Sequence, residues 1–159
     1  MSRKPQLSKL TIGMAGEYLV AGKMSLDGWT ANLTYKNYPG VDIIGQHPRL
    51  GDNSIVSIQV KSSVEPSFWV GIKYSQRGQM DTLIKGPYVF VYFEEKEGHV
   101  QPSFYILSKA QVINVINKSD EAYRSKSRSK KLASDYSIKV YITRDRLNEY
   151  QDKWDNLFE

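Results

Sequence analysis

Apolar residues recur at helical spacing in the first part of the chain. Ile12, Ala15 and Leu19 would share one side of a helix, and this pattern predicts a helix over residues 8–26. Three glycines within this segment would let a second element approach the helix closely: Gly13, Gly16 and Gly22. The Asp27-Gly28 pair that follows predicts a turn.

Runs of β-branched and aromatic residues, bounded by turn-forming residues, predict strands along the rest of the chain. These runs are 29–35, 41–45, 54–62, 68–72, 88–93, 103–107 and 136–142. Helical spacing predicts further helices over 75–85, 108–117 and 144–158. Helices and strands mix along the chain with neither a repeat nor a linker. The pattern therefore predicts one α/β domain over 1–159, with a central mixed β-sheet flanked by helices.

The composition narrows the functional classes only slightly. Of 159 residues, 40% are hydrophobic and 25% are charged, which is typical of a globular domain. The absence of cysteine excludes disulfides, thiolate zinc sites and thiol catalysis. No apolar run is long enough to cross a membrane, and no signal segment follows the basic start of the chain, so we expect a cytoplasmic protein without membrane contact. The net charge of +5 permits a polyanionic partner, although many basic proteins bind none.

Four polar residues stand out against this pattern. Glu17 lies in the first predicted helix, and Asp42 is embedded in an apolar strand just after a Pro-Gly turn. Gln59 and Lys61 alternate with apolar residues, so both point to one face of their strand. Acids that converge beside a lysine can hold a divalent cation next to a phosphodiester bond. The competing interpretation is a solvated helix acid, a turn-capping aspartate and the wet face of an edge strand.

The order of these residues resembles that of the PD-(D/E)xK nuclease superfamily. The similarity rests on four short segments within residues 10–95: Gly16-Glu17, Gly40-Val41-Asp42-Ile43-Ile44, Gln59-Val60-Lys61-Ser62 and Gly86-Pro87-Tyr88-Val89-Phe90-Val91. Within this superfamily, the motifs are most similar to those of small resolvase-like members and of small stand-alone bacterial domains. The resemblance implies a restriction-endonuclease-like core and hydrolysis of DNA by metal-activated water, without a covalent intermediate.

The resemblance also implies a role for each site residue. Asp42 would be the central ligand of Mg²⁺ or Mn²⁺, with Glu17, the Gln59 amide and the Val60 carbonyl completing the set, and Lys61 would position the attacking water beside the scissile phosphate. Gln59 stands where the family most often has an acid, and an amide oxygen brings no charge to a cation. This departure leaves an alternative open: a non-catalytic nucleic-acid-binding or protein-interaction module on a decayed nuclease fold. The oligomeric state, including a homodimer, also stays open.

Two further features carry expectations. The basic segment over residues 124–131 is a candidate contact for DNA phosphates, with a solvated flexible loop as the equal alternative. Its first cations are Arg124, Lys126 and Arg128. We expect the tryptophans to lie in the hydrophobic core rather than to stack on nucleic-acid bases. They are Trp29, Trp69 and Trp154.

Overall fold

The computed structural model describes residues 8–35, 38–126 and 135–159. The helices are α1 (Lys9–Leu26), α2 (Met80–Leu83) and α3 (Lys109–Lys126), and the strands are β1 (Thr30–Leu33), β2 (Ile43–Gln46), β3 (Val56–Ser63), β4 (Ser67–Lys73), β5 (Tyr88–Lys96), β6 (His99–Leu107) and β7 (Ser137–Tyr141). Short 3₁₀ turns cover Pro48–Leu50, Tyr74–Gln79, Leu147–Tyr150 and Trp154–Phe158.

Five strands form a mixed sheet in the order β1-β2-β3-β5-β6. The β3–β5 pair is parallel and the other three pairs are antiparallel. The remaining strands, β4 and β7, form a separate two-stranded antiparallel sheet. The predicted α/β class with a mixed sheet is confirmed, and the strands that carry Asp42 and Lys61 are neighbours as expected.

The central sheet has a hydrophobic core on each face. On one face, Val20 and Met24 of α1 cluster with Ile58 and Val60 of β3. On the other face, β4, β7 and α3 cluster with Tyr88 and Phe90 of β5, and other members there are Val70, Val112 and Ile138. Because side chains alternate along β3, the residues between Ile58, Val60 and Ser62 point to this second face.

Gly16 is where α1 contacts β3. A Cβ atom added at Gly16 would lie 1.8 Å from Ser62 Oγ and 3.0 Å from Ser62 Cβ, so the helix sits closer than any side chain would permit. Cβ atoms added at Gly13 or Gly22 would meet nothing within 4 Å. The predicted close approach is therefore confirmed at Gly16 and wrong at the other two glycines.

This contrast predicts opposite effects of alanine within one helix. Gly16→Ala should lower the free energy of unfolding by about 1–2 kcal/mol because it overpacks the contact with Ser62. Gly13→Ala should raise it by about 0.5–1 kcal/mol because alanine favours the helix and meets no neighbour. Urea unfolding of both variants measures the difference. Equal stabilities would show that α1 does not lie this close to β3.

The predicted closing helix over 144–158 is wrong. The backbone at Arg146 takes a positive φ of 60°, and the Asp145 carboxylate accepts the Tyr141 backbone N–H at 2.7 Å, which turns the chain. Further on, the Asp152 N–H donates to the Phe104 carbonyl at 2.9 Å. The segment thus binds the outer edge of β6, whose unpaired backbone groups compete with helical hydrogen bonds.

Two other predicted helices have different lengths. The helix predicted over 108–117 continues to Lys126, so Arg124 and Lys126 lie on α3 and not in a loop. Arg128 lies outside the described residues. The helix predicted over 75–85 is a 3₁₀ turn followed by the single α-helical turn Met80–Leu83.

Candidate active site

Asp42 lies where β2 begins, and its carboxylate binds β3. The Asp42 backbone N–H donates to the Ile58 carbonyl at 2.8 Å, which continues the β2–β3 pairing by one residue. The next hydrogen bond to β3 is accepted by the Asp42 side chain instead of the backbone. Asp42 Oδ2 accepts the Val60 N–H at 2.7 Å and also a hydrogen bond from the side-chain amide of Gln59. A carboxylate with two such donors is held in one orientation.

Lys61 brings a positive charge to the same place. Asp42 and Lys61 are close enough that each charge stabilises the other. For both groups, burial nevertheless has a larger effect on the pKa than the charge of the partner has. Burial raises the pKa of Asp42, against the opposing effects of the Val60 hydrogen bond, Lys61 and Gln59. Burial lowers the pKa of Lys61, against the opposing effect of Asp42. Partly desolvated pairs of this kind occur at functional sites and also in structural ion pairs.

The backbone of β4 passes close to the Lys61 ammonium. A Cβ atom added at Gly71 would lie 3.7 Å from Lys61 Nζ, and Gly71 has a positive φ of 76° that favours glycine. Tyr88, paired with Gln59 across the parallel β3–β5 ladder, lies on the same face. Burial, with a smaller contribution from the Asp42 charge, raises the pKa of Tyr88 to about 12, so its hydroxyl keeps its proton at neutral pH.

These side chains open into a groove of about 410 Å³. Gln59, Lys61 and Tyr88 line it, and Lys85 adds a second ammonium group at its rim. Among the described residues that line this groove there are two lysines and no acid. The groove therefore has the charge that a phosphate group requires, with Asp42 beside it. We name Asp42, Gln59, Val60 and Lys61 the acid–lysine site.

The position of Glu17 relative to the acid–lysine site follows only from the position of its helix. Helix α1 covers the sheet face that carries Val60 and Ser62, opposite the face of Gln59 and Lys61. Glu17 is half-buried and follows Gly16, the point of closest approach to β3. The structure thus brings the Glu17 helix against the strand of the acid–lysine site, and a role for Glu17 as a metal ligand stays a prediction.

The acid–lysine site has oxygen atoms of the kind that bind a hard cation, but few of them. In the part of the chain that the structure describes, no group of three or more His, Cys, Asp and Glu residues is arranged to hold a metal. Asp42 supplies one carboxylate, and the Val60 carbonyl points to the same strand edge as its N–H, which binds Asp42. Mg²⁺ binds proteins through one or two carboxylates while keeping several waters. Asp42 supplies one such carboxylate, whereas Gln59 turns its amide nitrogen and not its oxygen toward Asp42. Binding of Mg²⁺ or Mn²⁺ at this site therefore stays a prediction.

Two of the residues predicted to contact DNA phosphates, Arg124 and Lys126, lie at the end of α3. Arg124 Nε donates to the carboxylate of buried Asp120 at 2.9 Å, and its guanidinium lies 5.6 Å from the ring centre of Tyr74. Lys126 is exposed at the last residue of α3. Contact of Arg124 and Lys126 with DNA stays a prediction, and Arg128 is outside the described residues.

The structure also exposes a residue that the sequence interpretation placed in the core. Trp29 is buried and Trp154 is half-buried, but the Trp69 side chain is 57% exposed. The signal was in the alternation of β4, because Phe68 and Val70 are buried and the residue between them must face outward. The core assignment is therefore wrong for Trp69.

Comparisons with protein-family models, with curated proteins and with solved structures give no match for this chain. The described helices include none that is long and apolar enough to cross a membrane. The nuclease resemblance therefore stays a prediction from the sequence motifs. Cytoplasmic location and dimerisation stay predictions.

Proposed function

We propose that this chain is a metal-dependent endonuclease that hydrolyses phosphodiester bonds of DNA. The observation that supports the proposal best is the acid–lysine site, where Asp42 and Lys61 come from adjacent strands and interact at the rim of a positively charged groove. A scaffold without such chemistry would have little reason to desolvate an acid and a lysine together, because burying charged groups costs stability.

Each residue of the site has a defined task in this proposal. The Gln59 amide and the Val60 N–H fix the Asp42 carboxylate, which with the Val60 carbonyl would hold Mg²⁺ or Mn²⁺. When bound, the metal polarises the phosphate and lowers the pKa of an attacking water. Lys61 stabilises the charge that develops on the phosphate, in a groove where partial desolvation strengthens electrostatic interactions. Lys85 at the groove rim attracts the DNA backbone.

Metal binding gives the first test. Titration with Mn²⁺ or Mg²⁺ should raise the melting temperature, since a ligand bound only by the native state stabilises it by about 2.7 kcal/mol at 100 times its Kd. The shift should disappear in Asp42→Ala. It should persist in the control Asp155→Ala, whose carboxylate is 89% exposed and distant in the chain.

No shift at any metal concentration, with or without DNA, would contradict the proposal. Titration in the presence of a short DNA duplex covers the case in which the ion enters together with its substrate. A shift that Asp42→Ala leaves unchanged would place the metal elsewhere.

One observation favours a second candidate function, a non-catalytic nucleic-acid-binding or protein-interaction module on the same fold. The Gln59 amide donates to the Asp42 carboxylate, so the site is satisfied by its own side chains. In the catalytic family pattern an acid at this position would require a cation. Salt-sensitive DNA binding without cleavage in Mg²⁺ or Mn²⁺ would support this candidate over the nuclease.

A further inference from the structure

An exposed aromatic surface lies on the outer side of the two-stranded sheet. Phe68 and Val70 direct their side chains into the core, so Trp69 between them projects outward and is 57% exposed. A single exposed aromatic residue is common on protein surfaces, whereas an exposed aromatic residue that lies beside other rings and charges marks a candidate binding surface. Nothing in the packing of β4 requires a tryptophan at this outward position.

Cations flank exposed Trp69 and half-buried Tyr141 on this surface. Lys139 is the register partner of Trp69 on β7, and its ammonium lies 5.1 Å from the Trp69 ring centre. The Arg144 guanidinium lies 4.0 Å from the ring centre of Tyr141. We name these four residues, Trp69, Lys139, Tyr141 and Arg144, the Trp69 surface. Alternating flat rings and positive charges can contact both bases and phosphates.

Two grooves join this surface to the rest of the molecule. A groove of about 510 Å³ runs past Trp69, Lys139, Tyr141 and Arg144. A second groove, of about 280 Å³, shares Trp69 and Lys139 with the first and extends to Lys61. Lys61 also lines the groove beside Asp42, so this one residue links the second groove to the acid–lysine site, and we call this succession of grooves the path.

The charge along this path is positive. Its cations are Lys9, Lys61, Lys139 and Arg144, and its acids are Glu65 and Asp120. Asp120 is buried and already binds Arg124 and the Tyr136 hydroxyl. Glu65 lies on the exposed side, 3.5 Å from Lys139. Two of the cations also have acidic neighbours outside the lining, because Arg144 Nε lies 3.6 Å from the Asp145 carboxylate and Lys61 interacts with Asp42. The excess of cations among the lining residues themselves favours a polyanion over a cationic partner.

We propose that the Trp69 surface binds single-stranded nucleic acid by stacking an unpaired base on Trp69, with Lys139 and Arg144 at the adjacent phosphates. A duplex offers the same phosphates but keeps its base faces inside the stack, so it would leave the Trp69 ring without a partner. That the strand then continues to the acid–lysine site rests on the proposed nuclease function. The substrate class would be DNA with a single-stranded arm beside the bond to be cut.

The test measures binding in EDTA, so that it does not depend on cleavage. An oligothymidylate of about 12 nucleotides, within the range that one single-strand site covers, reports binding by fluorescence anisotropy of an attached dye. Wild-type protein should bind it with Trp69 emission quenched. Trp69→Ala should bind about 10-fold to 100-fold more weakly, and Trp69→Phe should keep most of the affinity while losing the quenching.

Charge variants complete the test. Lys139→Ala and Arg144→Ala should each reduce the slope of log affinity against log salt by about 0.7. Lys153→Ala is the matched control, because Lys153 is exposed and lines neither groove. Melting curves verify that each variant is folded. Unchanged affinity in Trp69→Ala, or a duplex that binds as tightly as the oligothymidylate and competes with it independently of Trp69, would overturn the inference.

The two proposals can fail separately. Binding that depends on Trp69 in a protein that cuts no DNA in Mn²⁺ would reject the nuclease and keep the single-strand site. Cleavage without any contribution from Trp69 would reject the single-strand site and keep the nuclease.

Discussion

Asp42→Ala is expected to cut DNA at least about 100-fold more slowly than the wild-type protein, in the range lost when a single electrostatic contributor is removed from an active site. The structure fixes the Asp42 carboxylate directly against β3, through the Val60 N–H and the Gln59 amide. Its loss would remove the charge that holds the cation. Initial rates of nicking of supercoiled plasmid and of cleavage of branched DNA, in Mg²⁺ and in Mn²⁺, measure the effect.

Two further variants make this experiment specific. Lys61→Ala should show a loss of similar size, because its ammonium is the charge that would face the phosphate. Asp155→Ala removes an exposed carboxylate and should cut at the wild-type rate. Circular dichroism and melting curves check that all three variants are folded. Wild-type rates in both Asp42→Ala and Lys61→Ala would reject the nuclease proposal.

The strands of this site and the direction of their side chains could be predicted from the alternation of apolar and polar residues. An apolar residue on each side of Gln59 fixes the face to which Gln59 and Lys61 point, because side chains alternate strictly along a strand. The apolar run around Asp42 likewise indicated a strand. That β2 pairs with β3 follows from their closeness along the chain, since consecutive strands are usually neighbours.

The partners of these side chains could not be predicted. The family resemblance implied that Gln59 would offer its amide oxygen to a metal, whereas in the structure its amide nitrogen donates to Asp42. Which atom of an amide faces a neighbour depends on three-dimensional contacts that periodicity does not contain. The same holds for Glu17, whose distance from the site depends on how α1 rotates about its Gly16 contact with Ser62.

In the C-terminal segment, tertiary contacts override the helix that the sequence pattern predicts. Leu147 and Leu157 are buried as an apolar stripe requires, yet the backbone between them is not a continuous helix. The Asp152 N–H pairs with Phe104 of the edge strand β6, and Asn156 donates its side-chain amide to the Ile106 carbonyl at 2.7 Å. An unpaired sheet edge offers hydrogen bonds that compete with helix formation, and no local pattern reveals that edge.

Gln59→Glu is expected to make the stability of the protein depend on metal. In EDTA a second carboxylate beside Asp42 would lose the present hydrogen bond and add a like charge in a partly buried place, which should lower the free energy of unfolding by about 2–4 kcal/mol. Mn²⁺ would then bind between two acids and should restore most of that stability. Melting curves in EDTA and across a Mn²⁺ titration measure both effects.

Gln59→Met separates the lost hydrogen bond from the added charge. It removes the amide donor, introduces no carboxylate, and should cost about 1–3 kcal/mol with or without metal. If Gln59→Glu also restores or increases cleavage, Gln59 limits a site that is otherwise built for a cation. If Gln59→Glu is equally destabilised in EDTA and in Mn²⁺, the two side chains do not share an ion. The Gln59–Asp42 hydrogen bond is then a structural link of a binding module, because a cation site would gain affinity from the second acid.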